Sequence, residues 1–222
     1  MIKLDRLTKR FPMRTGYKVV IDDLTAVFPS GQSVALLGRN GAGKSTLLRL
    51  ISGALRPTSG RILSTGTISY PVGFAGSFHP QLTGAQNTRF VARIYGVDTD
   101  ELIDFVQDFA ELGRHFHMPL RTYSSGMRSR LSFGVSMGIP FDTYLVDEVT
   151  SVGDGAFRDK SIRLFDERRK TAGAILVSHS PVMVKAMCDK AVVLENGEVT
   201  FYDDIDAALE HHDANMKGPR PD

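Results

Sequence analysis

Residues 38–45 read G-R-N-G-A-G-K-S, and this octet constrains the fold more than any other stretch of the chain. It matches G-x-x-x-x-G-K-[ST], in which glycines let the backbone curl until successive N–H groups converge on phosphate oxygens. Such a loop is expected between a buried strand and a helix whose positive end completes the anion site. Both flanks are legible here. Ser33 to Leu37 (S-V-A-L-L) is a short apolar run that suits a buried central strand. Lys44 to Ala54 carries Leu47, Leu48 and Ile51 at helical spacing and is closed by Arg56-Pro57. Gly38, Arg39, Asn40, Gly41, Ala42, Gly43, Lys44, Ser45 and Thr46 are therefore expected to cradle a nucleotide's phosphates. Lys44 would reach the β- and γ-phosphates, and the Ser45 hydroxyl would bind Mg²⁺.

The rest of the chain fits an α/β layout with an interruption. Val19, Val20 and Ile21 form a β-branched run, and Phe28-Pro29-Ser30-Gly31 is a turn signal. Residues 60–72 read as strands. Thr83-Gly84-Ala85-Gln86 is a capping-box pattern ahead of Phe90, Val91 and Ile94, and Asp98 to Glu101 resembles a second one. Residues 83 to about 139 thus read as helical. Strands return at Tyr144 to Val146, Ala174 to Val177 and Ala191 to Leu194, and Asn196-Gly197 signals a hairpin into Glu198 to Tyr202. The expected organisation is a single domain over 1–222. Its core comprises 1–77 and 140–212, a helical insert covers about 78–139, and 213–222 form a frayed tail.

Composition narrows the function classes. With 27 basic and 25 acidic residues the net charge is +2, too balanced for a nucleic-acid coat or a polybasic anchor. The single cysteine, Cys188, excludes an internal disulfide and a four-cysteine zinc site. The N-terminus has no apolar core of a signal peptide, and no run approaches the roughly 18 apolar residues of a membrane span. A membrane role would require other chains to supply the membrane part.

Two further segments carry chemistry. Thr143 to Glu148 reads T-Y-L-V-D-E, apolar strand residues followed by two carboxylates. In a phosphate-loop protein a carboxylate at a neighbouring strand end holds the Mg²⁺ shell, the role assigned to Asp147. Glu148 is placed to polarise a water for in-line attack on the γ-phosphate. Ala174 to Ser180 reads A-I-L-V-S-H-S and sets His179 at a strand exit, where its imidazole can touch the γ-phosphate. His79, His115, His117, His211 and His212 have no supporting ligands nearby in sequence and read as surface or partner-facing.

The order of these segments resembles that of ATP-binding-cassette ATPases, and the piece between them strengthens the resemblance. Tyr123 to Leu131 reads Y-S-S-G-M-R-S-R-L, similar to the family signature L-S-G-G-Q with basic residues and leucine after it. Ser124 matches the signature serine and Gly126 the second glycine. Ser125 replaces the first glycine and Met127 the glutamine. Ser151-Val152-Gly153-Asp154 resembles the family's D-loop, and Phe11 matches the aromatic that stacks on adenine, with Tyr17 in reserve and core packing an equal account of Phe11. The resemblance covers nearly all of 1–210. It implies a RecA-like core with an inserted α-helical subdomain and an antiparallel β subdomain, and ATP hydrolysis with Mg²⁺. It also implies a head-to-tail homodimer in which Ser124, Gly126 and Asp154 complete the partner's ATP site. The family's glutamine before the helical insert has no counterpart: counting back from Leu82 to Asn87 reaches Phe74.

Within the family, T-Y-S-S-G-M-R-S-R-L, V-D-E-V-T-S-V-G-D and the stretch from Ser69 to Gly96 resemble the capsular-polysaccharide exporters of Gram-negative bacteria. That branch implies separate transmembrane permease subunits, further capsule-export components, no nucleic acid, and a peripheral place on the cytoplasmic face of the inner membrane. The length favours it over O-antigen exporters, whose ATPases often carry an added carbohydrate-binding domain. O-antigen or teichoic acid export is the alternative. A soluble cassette ATPase of DNA repair or translation is disfavoured by the lack of a coiled-coil split, a second cassette or a basic face.

Overall fold

A computed structural model describes residues 1–73, 78–147 and 155–217. The strands in chain order are β1 (Ile2–Pro12), β2 (Tyr17–Phe28), β3 (Ser33–Leu37), β4 (Ser59–Ser64), β5 (Ile68–Val72), β6 (Thr143–Asp147), β7 (Gly173–Val177), β8 (Lys190–Glu195) and β9 (Glu198–Tyr202). The helices are α1 (Lys44–Ile51), α2 (Gly84–Tyr95), α3 (Thr99–Ala110), α4 (Ser125–Gly138), α5 (Gly155–Thr171), α6 (Pro181–Met187) and α7 (Ile205–Lys217). Two compact units divide the described residues. One holds 1–71, 141–147 and 169–217; the other holds 72–73, 78–140 and 155–168.

The first unit is built on two sheets. One is three-stranded, ordered β2-β1-β4 and antiparallel; the other is six-stranded, ordered β5-β6-β7-β3-β8-β9. In the second sheet β3 pairs in parallel with β7 and β8, and β6 with β7, while β9 closes the edge as an antiparallel hairpin partner of β8. Every residue of β3 and β7 is buried, as a parallel strand covered on both faces requires. In β2 burial falls on Ile21, Leu24, Ala26 and Phe28, so one face meets the core and the other meets water. These side chains join Leu4, Leu36, Leu47, Leu48 and Val192 in a shared apolar cluster, each fully buried leucine or phenylalanine contributing roughly 2 kcal/mol.

The β1–β2 ladder is not regular. Arg6 (φ 50°) and Asp23 (φ 45°) take left-handed backbone where the register shifts. Their amides leave the ladder and donate to side-chain hydroxyls instead, Arg6 N to Thr25 Oγ1 at 3.2 Å and Asp23 N to Thr8 Oγ1 at 3.0 Å. Phe11, expected to stack on adenine or to pack in the core, lies inside β1, opposite Lys18. The helix expected to reach Ala54 ends at Ile51, because Gly53 turns the chain at φ 75°. Residues 213–217, expected in a frayed tail, are the last part of α7, where Asn215 is held by long-range hydrogen bonds.

The second unit packs α2 and α4 against α3. The capping box at α2 is complete: Gln86 N donates to Thr83 Oγ1 at 3.1 Å and Thr83 N to Gln86 Oε1 at 2.9 Å. At α3, Asp98 accepts from the amides of Asp100 and Glu101. Residues 155–168 of α5 belong here too, beyond the expected insert of about 78–139. Aromatic packing gives the reason: Phe109 on α3 has its ring centroid 5.2 Å from Phe157 on α5 and 5.9 Å from Phe133 on α4. Lys160 on α5 donates to the Phe109 carbonyl at 3.1 Å.

Asn87 is the polar pin of this unit. It is 1% exposed, accepts from His79 N at 2.8 Å, and donates to the carbonyls of His79, Leu82 and Thr83 at 3.0–3.2 Å. Asn87→Ala leaves a buried amide and several carbonyls without partners, so it is expected to cost about 2–3 kcal/mol. Thermal unfolding of the variant should show a midpoint lowered by several degrees; an unchanged midpoint would remove Asn87 from this role.

Candidate nucleotide-binding site

The three segments singled out by sequence leave the same end of the parallel sheet. Register places Asp147, the last residue of β6, beside Val177, the last residue of β7, while β3 ends at Leu37, immediately before the loop. Ligands of open parallel sheets are held at these carboxyl ends. The phosphate loop, Asp147 and His179 therefore share one rim without any of them being near the others in sequence.

The loop is sterically committed to glycine at two points. A Cβ on Gly43 (φ 106°) would lie 2.8 Å from Val20 Cγ1, and one on Gly38 would lie 2.5 Å from the Leu194 carbonyl oxygen. Gly43 is also the N-cap of α1, and among the described residues no side chain caps that helix start. With no acidic residue in the first turn, the helix's positive end is left for an anion. Lys44 is 8% exposed, and its Nζ donates to the carbonyls of Gly38 at 2.5 Å and Arg39 at 3.0 Å. Ala42 N also donates to the Arg39 carbonyl, at 3.1 Å. The lysine thus holds the loop curled around its own charge. Asn40, Gly41 and Ser45 are exposed, Arg39, Ala42 and Thr46 half-buried.

Ser45 Oγ donates to Asp147 Oδ2 at 2.8 Å, so the two oxygens expected to meet at a metal stand together. A hydroxyl and a carboxylate are hard oxygen donors of the kind Mg²⁺ takes alongside water and phosphate. Among the described residues there is no cluster of three or more His, Cys, Asp or Glu side chains suited to a metal. His179 is exposed at the exit of β7, and the next residue, Ser180, caps α6 by accepting from Met183 N at 3.4 Å. Glu148 and Asp154 lie outside the described residues, as does Phe74.

A cavity of about 660 Å³ adjoins the loop. Its walls come from Gly38 to Ala42, from Lys18 to Val20 and Asp22 of β2, from Leu194 to Gly197 at the β8–β9 turn, and from α7. The turn is the hairpin anticipated at Asn196-Gly197, with φ of 50° and 83°. Phe11 is half-buried, with Lys9 Nζ 5.0 Å from its ring centre. It does not line the cavity; its register partner Lys18 does. Tyr17 is 71% exposed.

Sequence reasoning missed α7. His212, Asn215 and Met216 line the cavity, and Arg39 Nη1 donates to the Asn215 carbonyl at 2.8 Å. His211 and His212, expected as surface or partner-facing positions, are half-buried, and His212 lines the cavity. Burial, reinforced by the positive charge of Lys44 and by the nearby His179 and His211, holds the His212 imidazole below the usual histidine range, against an opposing pull from Asp213. The one signal available in sequence was the clustering of His211, His212 and Asn215 on a stretch that can form a helix.

In the second unit, Ser124 caps α4 by accepting from Met127 N at 3.2 Å, and it is exposed, with Gly126 half-buried beside it. Tyr123, 3% exposed, anchors this corner: its hydroxyl donates to the His115 carbonyl at 2.6 Å, and burial pushes its pKa up to about 12. The signature segment is thus fixed from behind and open in front.

The model of the ABC transporter family matches residues 21–151. The polysialic acid transport ATP-binding protein KpsT of Escherichia coli is 51% identical over 215 residues, 96% of each chain. The capsule polysaccharide export ATP-binding protein CtrD of Neisseria meningitidis serogroup B is 45% identical, over 96% of this chain and 99% of CtrD. Among solved structures, the dimeric post-hydrolysis state of the ATP-binding cassette MJ0796 bound to ADP and Pi superposes with a TM-score of 0.75 at 21% identity, over 90% of this chain and 96% of that one. A phosphate loop on a parallel sheet would alone admit many nucleotide hydrolases, but the family match spans both that loop and the signature segment, and the chain belongs to the ATP-binding-cassette transporter family.

Proposed function

We propose that this chain is the ATPase subunit of an exporter that moves a lipid-linked capsular polysaccharide across the bacterial inner membrane. The observation that carries this reading is its near full-length likeness to a polysialic acid transport ATP-binding protein and a capsule polysaccharide export ATP-binding protein. Among the described residues no helix is long and apolar enough to cross a membrane, so separate permease subunits would form the path. The chain itself would sit peripherally on the cytoplasmic face.

The chemistry follows from the rim of the sheet. ATP enters with its phosphates on the loop amides and the uncapped start of α1. Lys44 exchanges the Gly38 and Arg39 carbonyls for the β- and γ-phosphate oxygens. Ser45 and Asp147 would hold Mg²⁺, which neutralises phosphate charge when bound. Glu148 orients the attacking water and accepts its proton as the oxygen adds to the γ-phosphorus; ADP leaves in line. His179 steadies the γ-phosphate from the neighbouring strand exit. Phosphoryl transfer needs little beyond positioning and charge neutralisation, which these groups supply. The exposed Ser124 and the start of α4 suit contact with a second copy's nucleotide, and MJ0796, a cassette of the same fold, is dimeric.

Deletion of the gene in its own capsulated host tests the substrate. The expected result is loss of surface capsule with polymer retained inside the cell, restored by wild type but not by Lys44→Ala. Intact capsule with lost O-antigen would transfer the reading to the other exporter branch.

A further inference from the structure

Helix α7 is left without a role by the chemistry just given, yet it shares the cavity wall with the phosphate loop. Its attachment is specific. The Asn215 amide nitrogen donates to Glu195 Oε2 at 2.5 Å and lies 3.1 Å from His211 Nε2. Because that amide nitrogen can only donate, Nε2 accepts, and Nδ1–H of a neutral His211 donates to the Tyr202 hydroxyl oxygen at 2.7 Å. A hairpin residue on each side, Glu195 from β8 and Tyr202 from β9, therefore grips two successive turns of the helix. An ion pair between Lys185 and Asp206, 2.5 Å apart, ties down the start of α7.

What the grip holds is Arg39. The Asn215 carbonyl accepts from its guanidinium at 2.8 Å, across 176 positions of sequence. The Arg39 carbonyl in turn accepts from Lys44 Nζ and Ala42 N. One residue thus joins α7 to the bend of the loop. A second observation points the same way. His212 lines the cavity, and its Nδ1 is buried with no hydrogen-bond partner among the described residues. A buried polar atom of this kind calls for a hydrogen-bond partner, and this one belongs to a side chain on the cavity wall that α7 shares with the loop.

We propose that α7 is an integral wall of the nucleotide site, and that Glu195, Tyr202 and His211 are positioning residues that hold Asn215 on Arg39 and thereby set nucleotide affinity. The proposal rests on the reading of the loop as the ATP site. It assigns these residues no contact with the reacting atoms. They act on binding, by keeping the loop bent to accept phosphate.

The test uses the purified full chain and the non-hydrolysable analogue AMP-PNP with Mg²⁺, read by calorimetry. His211→Ala is expected to weaken binding about five- to tenfold and Tyr202→Phe about threefold, as loss of one or two hydrogen bonds allows. His211→Gln, which keeps a donor and an acceptor, should recover most of the loss. The nucleotide-free melting point should move by only about a degree or two, since the contacts are half-exposed. Independently, hydrogen exchange on wild type should show amides of 205–217 gaining protection with AMP-PNP, a readout open even where a variant folds poorly. Affinities within about twofold of wild type, tighter binding, or no change in α7 exchange would each overturn the proposal. Protection at 38–46 without protection at 205–217 would sink the α7 wall alone. A wild-type chain that shows neither would take the ATP-site reading down with it.

Discussion

Lys44→Ala is expected to lose nucleotide affinity by at least about a hundredfold, with the fold intact. Two charge-assisted hydrogen bonds to phosphate oxygens are at stake, each contributing about 1.5–3 kcal/mol, and two of them span roughly two to four orders of magnitude in affinity. Arg39, the neighbouring cation, has its guanidinium bonded to the Asn215 carbonyl on α7. The substitution acts on the empty loop as well, because Lys44 Nζ bonds the Gly38 and Arg39 carbonyls before any ligand arrives. Removing it leaves two inward carbonyls without that partner and the bend less defined. Calorimetry with ATP and Mg²⁺ measures the affinity, and a melting curve shows that the chain still folds. A dissociation constant within about threefold of wild type would contradict the assignment of residues 38–46 to phosphate.

The parts of this site legible in sequence are those whose physics is local. Gly38 to Ser45 declares itself because curling a backbone around phosphate requires glycines at fixed intervals, and the strand before it and the helix after it are adjacent in the chain. The same holds for the capping box at Thr83 and Gln86, where both bonds span three residues. The β8–β9 hairpin is legible for a related reason, since two left-handed residues in succession call for Asn-Gly. Asp147 and His179 were reachable only by analogy with known order, since nothing in T-Y-L-V-D-E alone states which strand lies beside β3. The register that brings Asp147 to the loop is a long-range fact.

The misreadings share one cause. His211 reads as surface and Asn215 as part of a frayed tail because their partners, Tyr202, Glu195 and Arg39, are brought to them by a hairpin and a sheet edge rather than by spacing. The polar, proline-bearing end of the chain suggested fraying, but hydrogen bonds to distant residues carry the helix through Lys217. Likewise α5 gave no sign that its first part packs with the helical insert. Phe157 does so by filling the space beside Phe109, a choice of tertiary packing that periodicity cannot encode.

Glu148→Gln is expected to keep ATP binding and to lose hydrolysis by about two to three orders of magnitude. The swap preserves size and hydrogen-bonding capacity but removes the group that accepts the proton from water. Binding should survive because the loop, Lys44 and the Ser45–Asp147 pair are untouched. That separation makes the variant more telling than Lys44→Ala, in which affinity and turnover fail together. A chain that binds but does not cleave should also accumulate whatever state ATP stabilises. If two copies close over two nucleotides, with Ser124 and Gly126 of each facing the other's γ-phosphate, the variant should elute at twice the monomer mass with ATP and Mg²⁺ and revert when ATP is withdrawn. Wild type, cleaving its ATP, should stay largely monomeric. Turnover like that of wild type would dismiss Glu148 as the water-orienting acid. A strictly monomeric variant at saturating ATP would dismiss the paired arrangement, because bound, uncleaved ATP is the condition under which Ser124 of one copy would meet the other copy's nucleotide.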